Sequence, residues 1–180
     1  MTAVQTESRI PTGAWALDGV HSRIGFAVRH LGVSWFRGSF GSIEGTLDGD
    51  GLAGSAEVAS IAVDEPALKG HLLSPDFFDV ERHPRLTFRA GDLRVDGDGA
   101  VTVSGEITIK GVTRPITLGG TVRGPVENAY GKTVLGLELE GTVDRREFGL
   151  DWNAPLPGGG LTVANEVRLT GELELVRVED

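Results

Sequence analysis

Four histidines, a paired arginine and two acidic turn strings are the residues best able to do chemistry in this sequence. His21, His30, His71 and His83 could hold a metal or move protons, but no HExxH or comparable spacing joins them, so no metal is expected. Asp48-Gly49-Asp50-Gly51 and Asp96-Gly97-Asp98-Gly99 resemble the start of a calcium loop. Each lacks the bidentate glutamate at the required distance, and such strings are ordinary turn chemistry. Ser22 lies beside His21, and Ser39 and Ser104 are further hydroxyls, yet no GxSxG elbow activates any of them. Cysteine is absent, which removes disulfides, thiolate zinc and a cysteine nucleophile. No catalytic residue and no cofactor are therefore expected.

Two polar residues stand out by position. His30 continues the apolar alternation Ile24, Phe26, Val28, and Arg145 continues Leu137, Leu139, Gly141, Val143. Both are expected to point inward from strand ends. They could orient the head of a ligand, or pair with nearby carboxylates or carbonyls and finish a core rim; a half-buried charge needs a partner either way.

The elements that must position them follow a period of two. Val101, Val103, Gly105, Ile107 and Ile109 share one face of a segment whose other face is Thr102, Ser104, Glu106, Thr108 and Lys110. Leu135 to Val143 and Val167 to Leu175 repeat the pattern. Ala14–Asp18, Ser22–Leu31, Phe36–Leu47, Leu52–Val63, Pro84–Val95 and Arg114–Val126 add further strands, about nine in all. Short turns of glycine and aspartate join most of them. Asp64 to His83 reads as helical, with Asp64 and Ser74 as N-caps, and Arg145 to Thr162 is a long loop rich in proline and glycine.

The chain has 180 residues, 39% hydrophobic, 24% charged and 6% aromatic, the composition of one soluble domain that buries a core without staples. Residues 1–13 read as a disordered or extended segment before a single domain over 14–180. A formal charge of −9 and a pI near 4.9 argue against a nucleic-acid partner, and any anion bound must meet a local basic cluster. No apolar run is long enough to cross a membrane, and Met1 to Gly13 lacks the pattern of a secretory signal, so no stable membrane insertion and a cytoplasmic location are expected.

One-sided antiparallel strands must hide their apolar faces together, and closure also removes exposed edges, which favours an all-β, up-and-down barrel of about eight strands. Gly105, Gly120, Gly141 and Gly171 fall where neighbours point inward. They either leave part of the lumen empty or let bent strands curl without leaving space. The inner face is expected to include Phe26, Val28, Phe40, Phe88, Val103 and Gly105, together with Ile107, Leu137, Leu139, Gly141, Leu169 and Gly171. Strand parity collects Asp48, Asp50, Asp96, Asp98 and Glu127, and the turn after Asp18, at one acidic, closed end. The other end gathers Gly32 to Trp35, the helical segment, the turn from Lys110 to Arg114 and the loop from Arg145. That mouth, with His30, Trp35, His71, Leu72 and Phe77, then Phe78, Arg145, Phe148 and Trp152, suits an amphipathic ligand whose tail enters the barrel. Trp152-Asn153 either lines the mouth or anchors its loop.

The residues Trp15 to His30 and Trp35-Phe36-Arg37-Gly38-Ser39-Phe40 resemble the opening of the YceI-like polyisoprenoid-binding proteins. The similarity continues through His71 to Asp79 with Pro84 to Phe88, then Gly105 to Thr113, then Arg145 to Gly149, in that family's order. It covers roughly Ala14 to Val178. The resemblance implies a lipocalin-like barrel whose lumen holds a long isoprenoid lipid such as a prenyl quinone or polyprenyl phosphate, a non-enzymatic role and a possible homodimer. Many relatives carry a secretory signal, whereas none is expected from Met1 to Gly13 here.

Burial at about 0.8 kcal/mol per carbon gives roughly 4 kcal/mol for each five-carbon unit. Association costs on the order of 4 to 15 kcal/mol, so several units are needed. Two other readings remain open: an enzyme folding a lipid or quinone near His30 and Arg145, and a barrel packed solid.

Overall fold

A computed structural model describes residue 10 and residues 12–179; most of the N-terminal segment expected to be disordered or extended lies outside them. Strands β1 (Trp15–Leu17) and β2 (Arg23–His30) both pair with β11 (Val163–Arg177), at Leu17↔Leu175 and Arg23↔Glu172 respectively. They are one strand broken by a kink. The expectation that the turn after Asp18 lies at the closed end is thereby corrected: the Asp18 carboxylate turns the chain locally, accepting from the Val20 N–H at 2.9 Å and bonding His21 Nδ1 at 2.8 Å. Likewise β3 (Ser34–Phe40) runs on into β4 (Ile43–Asp48), and β5 (Gly51–Glu57) runs through a 3-10 turn into β6 (Ile61–Ala62).

With β7 (Arg85–Val95), β8 (Ala100–Ile109), β9 (Val112–Glu127) and β10 (Thr133–Asp144), these make a closed antiparallel barrel of eight long strands. Each strand neighbours the next in sequence, the least costly topology for a meander, and closure pairs the edges an open sheet would expose. One stretch escapes. β6 pairs only with Ser39 and Phe40, so Ser34 to Gly38 bonds β2 alone.

Helix α1 (Pro66–Leu73) follows β6 and lies over one end. It is shorter than its sequence suggests. Glu65, not Asp64, caps it, its side chain accepting from the Ala67 N–H at 3.0 Å. Ser74 ends the helix rather than starting another, with its Oγ donating to the His71 carbonyl at 2.6 Å. Pro75 cannot extend a helix through a missing N–H, and the chain beyond descends in turns.

The apolar residues form two groups along the barrel axis. At the closed end Trp15, Leu47, Leu52, Val103, Leu135 and Leu175 are almost wholly buried, with Ile10 packed against them. Toward the mouth the group is built on Phe40, Ile61, Leu72, Phe77, Phe148 and Leu150. Asp48, Asp50, Asp96, Asp98 and Glu127 are exposed at the closed end. Asp48 and Asp96 bond backbone N–H groups two residues on, at 2.8 and 3.0 Å, the turn role their sequence strings imply.

Candidate functional site

The mouth half of the barrel is hollow. A cavity of about 580 Å³ runs inward from the rim, within the usual range for small-molecule sites. Two inward glycines border it, although a Cβ at Gly45 would fall 2.9 Å from the Ala53 carbonyl oxygen, so that glycine also serves close strand approach. Gly45 and Gly54 face each other across β4 and β5, one step above Leu47 and Leu52, which fill the same two strands at the closed end. Gly171, set between Leu139 and Ile24, is a third, and a Cβ there would meet nothing nearer than 3.7 Å.

Of the residues expected on the inner face, Phe26, Val28, Phe40, Phe88, Ile107, Leu139, Leu169 and Gly171 border the cavity. Val103, Gly105, Leu137 and Gly141 do not. Val103 and Leu137 belong to the solid closed-end cluster. Gly105 and Gly141 serve close approach: a Cβ would fall 2.2 Å from the Arg89 carbonyl oxygen at the first and 2.6 Å from Leu118 Cδ2 at the second. Gly120 is the same case, 1.7 Å from the Glu138 oxygen. For these three the curling explanation holds, because the sheet bends where a side chain would hit the next strand.

Aromatic rings crowd the mouth. Phe26 lies 6.1 Å from Phe36, 6.0 Å from Phe40 and 6.5 Å from Phe78, and Phe40 meets Phe78 edge-on at 5.9 Å. Beside them the His71 ring stands edge-on to Trp152 at 4.7 Å and to Phe77 at 5.0 Å, with Nε2 bonding the Asp76 carboxylate at 3.2 Å. His71, Leu72, Phe77, Phe78, Phe148 and Trp152 all border the cavity, as does His30, which is exposed and makes no side-chain hydrogen bond among the described residues. Phe36, Gly45 and Gly54 border the cavity too, although none was among the lining residues expected from the sequence. Each sits on the inward parity of its strand, which is the signal that could have found them.

Arg145 is buried, and its partners are carbonyls. Nε donates to Ala164 O at 2.9 Å, Nη1 to Leu150 O and Trp152 O, and Nη2 to Val163 O. Burial pushes its guanidinium below the ordinary arginine value, opposed by the charges of Asp151 and Asp144. It hangs the long loop on the barrel. Asn153 does the same from the loop side, donating to the Val163 carbonyl at 2.7 Å and accepting the Val163 N–H at 3.1 Å. The two readings of Trp152-Asn153 thus divide by residue, since Trp152 lines the cavity and Asn153 anchors.

Trp35 touches the mouth, but alternation puts its ring on the face of β3 opposite Phe36, on the outer wall. There the Arg29 and Arg168 guanidiniums lie 4.3 and 4.5 Å from its centre, and Arg37 lies 5.9 Å away.

A family model described as the YceI-like domain matches residues 15–175. A UPF0312 protein of Pectobacterium atrosepticum is 31% identical over 140 residues, 74% of this chain and 72% of its own length. The YceI protein of Escherichia coli is 29% identical over the same length, covering 74% of this chain and 73% of its own. Among solved structures, the YceI protein of Campylobacter jejuni superposes with a TM-score of 0.72 at 24% identity, covering 84% of this chain and 90% of that one. A polyisoprenoid binding domain from Saccharophagus degradans superposes with a TM-score of 0.66 at 14% identity, over 91% and 98% of the two chains.

Proposed function

We propose, from the premise that this chain belongs to the YceI-like domain family, that its barrel binds and carries a long isoprenoid lipid without chemically changing it. The observation that carries this is the apolar hollow of about 580 Å³ that reaches the mouth residues His30, Ser34 and Trp152, with a packed cluster beyond it. A tail that slides past the phenylalanine ring cluster sheds water along its whole length, and a polar head stays at the rim among His30, His71 and Ser34. The name of the Saccharophagus degradans neighbour points to the same ligand class. With Arg145 committed to carbonyls, the head is held loosely and the tail supplies the affinity.

Calorimetry of the lipid-free protein with prenyl analogues of increasing length tests this. Affinity should climb with each added unit until the hollow is full and then level off. Indifference to length would overturn the proposal, and mass spectrometry of lipid extracted from the gently purified protein would identify tail and head together.

A further inference from the structure

We infer that the outer wall beside the cavity mouth is a docking surface for the phosphate-bearing face of an anionic lipid bilayer. Arg29, Arg37 and Arg168 converge on the Trp35 ring, from three strand positions brought together by the registers Arg29↔Trp35, Ala27↔Arg37 and Arg168↔Ala27. Ala27 points to the same outer face and is only 4% exposed, so this cluster covers it. Among the described residues none of the three guanidiniums forms an ion pair, whereas Arg85, Arg94, Arg123 and Arg146 all do. Like charges gathered on one ring, without counter-charge, in a chain of net charge −9, are complementary to an anion from outside.

The neighbouring turn argues that this anion is a membrane rather than a soluble ion. Between β2 and β3 the chain turns through Leu31, Gly32 and Val33; Val33 is 77% and Leu31 41% exposed. The Leu31 N–H donates to the Thr162 carbonyl at 2.8 Å, which brings the tip beside exposed Leu161 of the long loop. Apolar side chains thus project beyond the arginines, the order in which a peripheral protein meets acyl chains and then phosphates, with an indole at the level between. Among the described residues no strand pairs with Ser34 to Gly38 on the side away from β2. The surface rests on the lipid-carrier reading for its purpose, since the mouth must meet lipid, but not for its chemistry.

Flotation of the full chain with vesicles decides it. Vesicles of phosphatidylcholine mixed with phosphatidylglycerol should carry the protein upward, vesicles of phosphatidylcholine alone should not, and high salt should release it. Arg37→Gln and Arg168→Gln should each weaken partitioning about fivefold, the effect of one charge near an anionic surface. Arg168→Lys should keep most of the binding, which separates lost charge from a disturbed fold. Val33→Asp should weaken vesicle binding with the arginines intact. Equal binding to both vesicles, no binding to either, or glutamine variants that bind as well as the parent would overturn the inference. So would displacement of inorganic phosphate binding by the same variants without any vesicle binding, which would mark a free-anion site. Uptake of a prenyl analogue from ethanol solution is measured in parallel: uptake without flotation refutes the docking surface and leaves the lumen, and flotation without uptake does the reverse.

Discussion

The two halves of this barrel share the same strands, yet one is solid and the other hollow. On β4 and β5 the change happens in a single step along the pleat, from Leu47 and Leu52 to Gly45 and Gly54. At the closed end aliphatic side chains and Trp15 meet across the axis with almost no exposure. At the mouth the wall is just as apolar, but aliphatic side chains such as Val28, Ile107 and Leu169, inward glycines and a group of packed phenylalanine rings stand around a space instead of filling it. Stability is therefore concentrated below, where packing is complete, and capacity above, where it is not. Hydrophobic character alone distinguishes nothing here; the volume summed across facing strands does.

The comparison can be broken most directly by truncation. Leu137→Ala, in the solid half, should cost about 2 to 5 kcal/mol in chemical denaturation, because a new void opens among fixed neighbours. Phe78→Ala, beside the existing hollow, should cost less than about 2 kcal/mol, since its ring is only half buried and borders empty space. Equal costs would erase the distinction. Next in size is the effect of filling the hollow. Gly171→Leu adds four carbons at a cavity-lining position whose Cβ would meet nothing nearer than 3.7 Å, and at about 0.8 kcal/mol per displaced carbon it should weaken binding of a long prenyl analogue by roughly 100-fold while leaving thermal stability intact.

Smaller effects should come from the rim. Arg145→Lys replaces a planar fork that reaches four carbonyls with a point charge that cannot, and should cost about 1 to 3 kcal/mol while speeding amide exchange across Leu150 to Val163. The smallest is a titration on the outer wall, remote from either packing regime. The Asp18 carboxylate holds the exposed His21 ring above its ordinary 6.5, and His21 holds Asp18 below its ordinary 3.8. The pair's contribution is present between those two values. It fades as pH rises past 6.5 through the raised histidine, and again as pH falls below 3.8 through the depressed aspartate. A small difference in melting temperature between the protein and His21→Ala should follow that window and disappear on its alkaline side.

Much of this architecture was legible because period-two alternation survives any tertiary context that buries one face. Val101 to Ile109 and Val167 to Leu175 read as strands and are strands, and parity placed the Lys110 turn and the Arg145 loop at the same end. The hollow was harder. Gly105 and Gly171 look alike in a linear pattern, and only the third dimension shows that one is pressed against Arg89 and the other faces space. The kink at Asp18 was illegible for a related reason: a turn within a strand carries the same residues as a turn between strands. Arg145 was recognised as inward, but two of its four carbonyl partners, on Leu150 and Trp152, come from a loop whose path no periodicity encodes.

The backbone also meets itself at the solid end, where the Val178 N–H donates to the Ala14 carbonyl at 2.8 Å. Start and finish of the barrel are thus stitched side by side, at the pole opposite the opening. A gene rewired so that a short glycine-serine bridge joins those ends, with new termini cut into the Asp96 to Gly99 turn, should yield a permuted protein of the same shape and cargo capacity. Tags or fluorescent reporters fused directly at Ala14 or Val178 would ride at the far pole, clear of whatever traffic passes through the other.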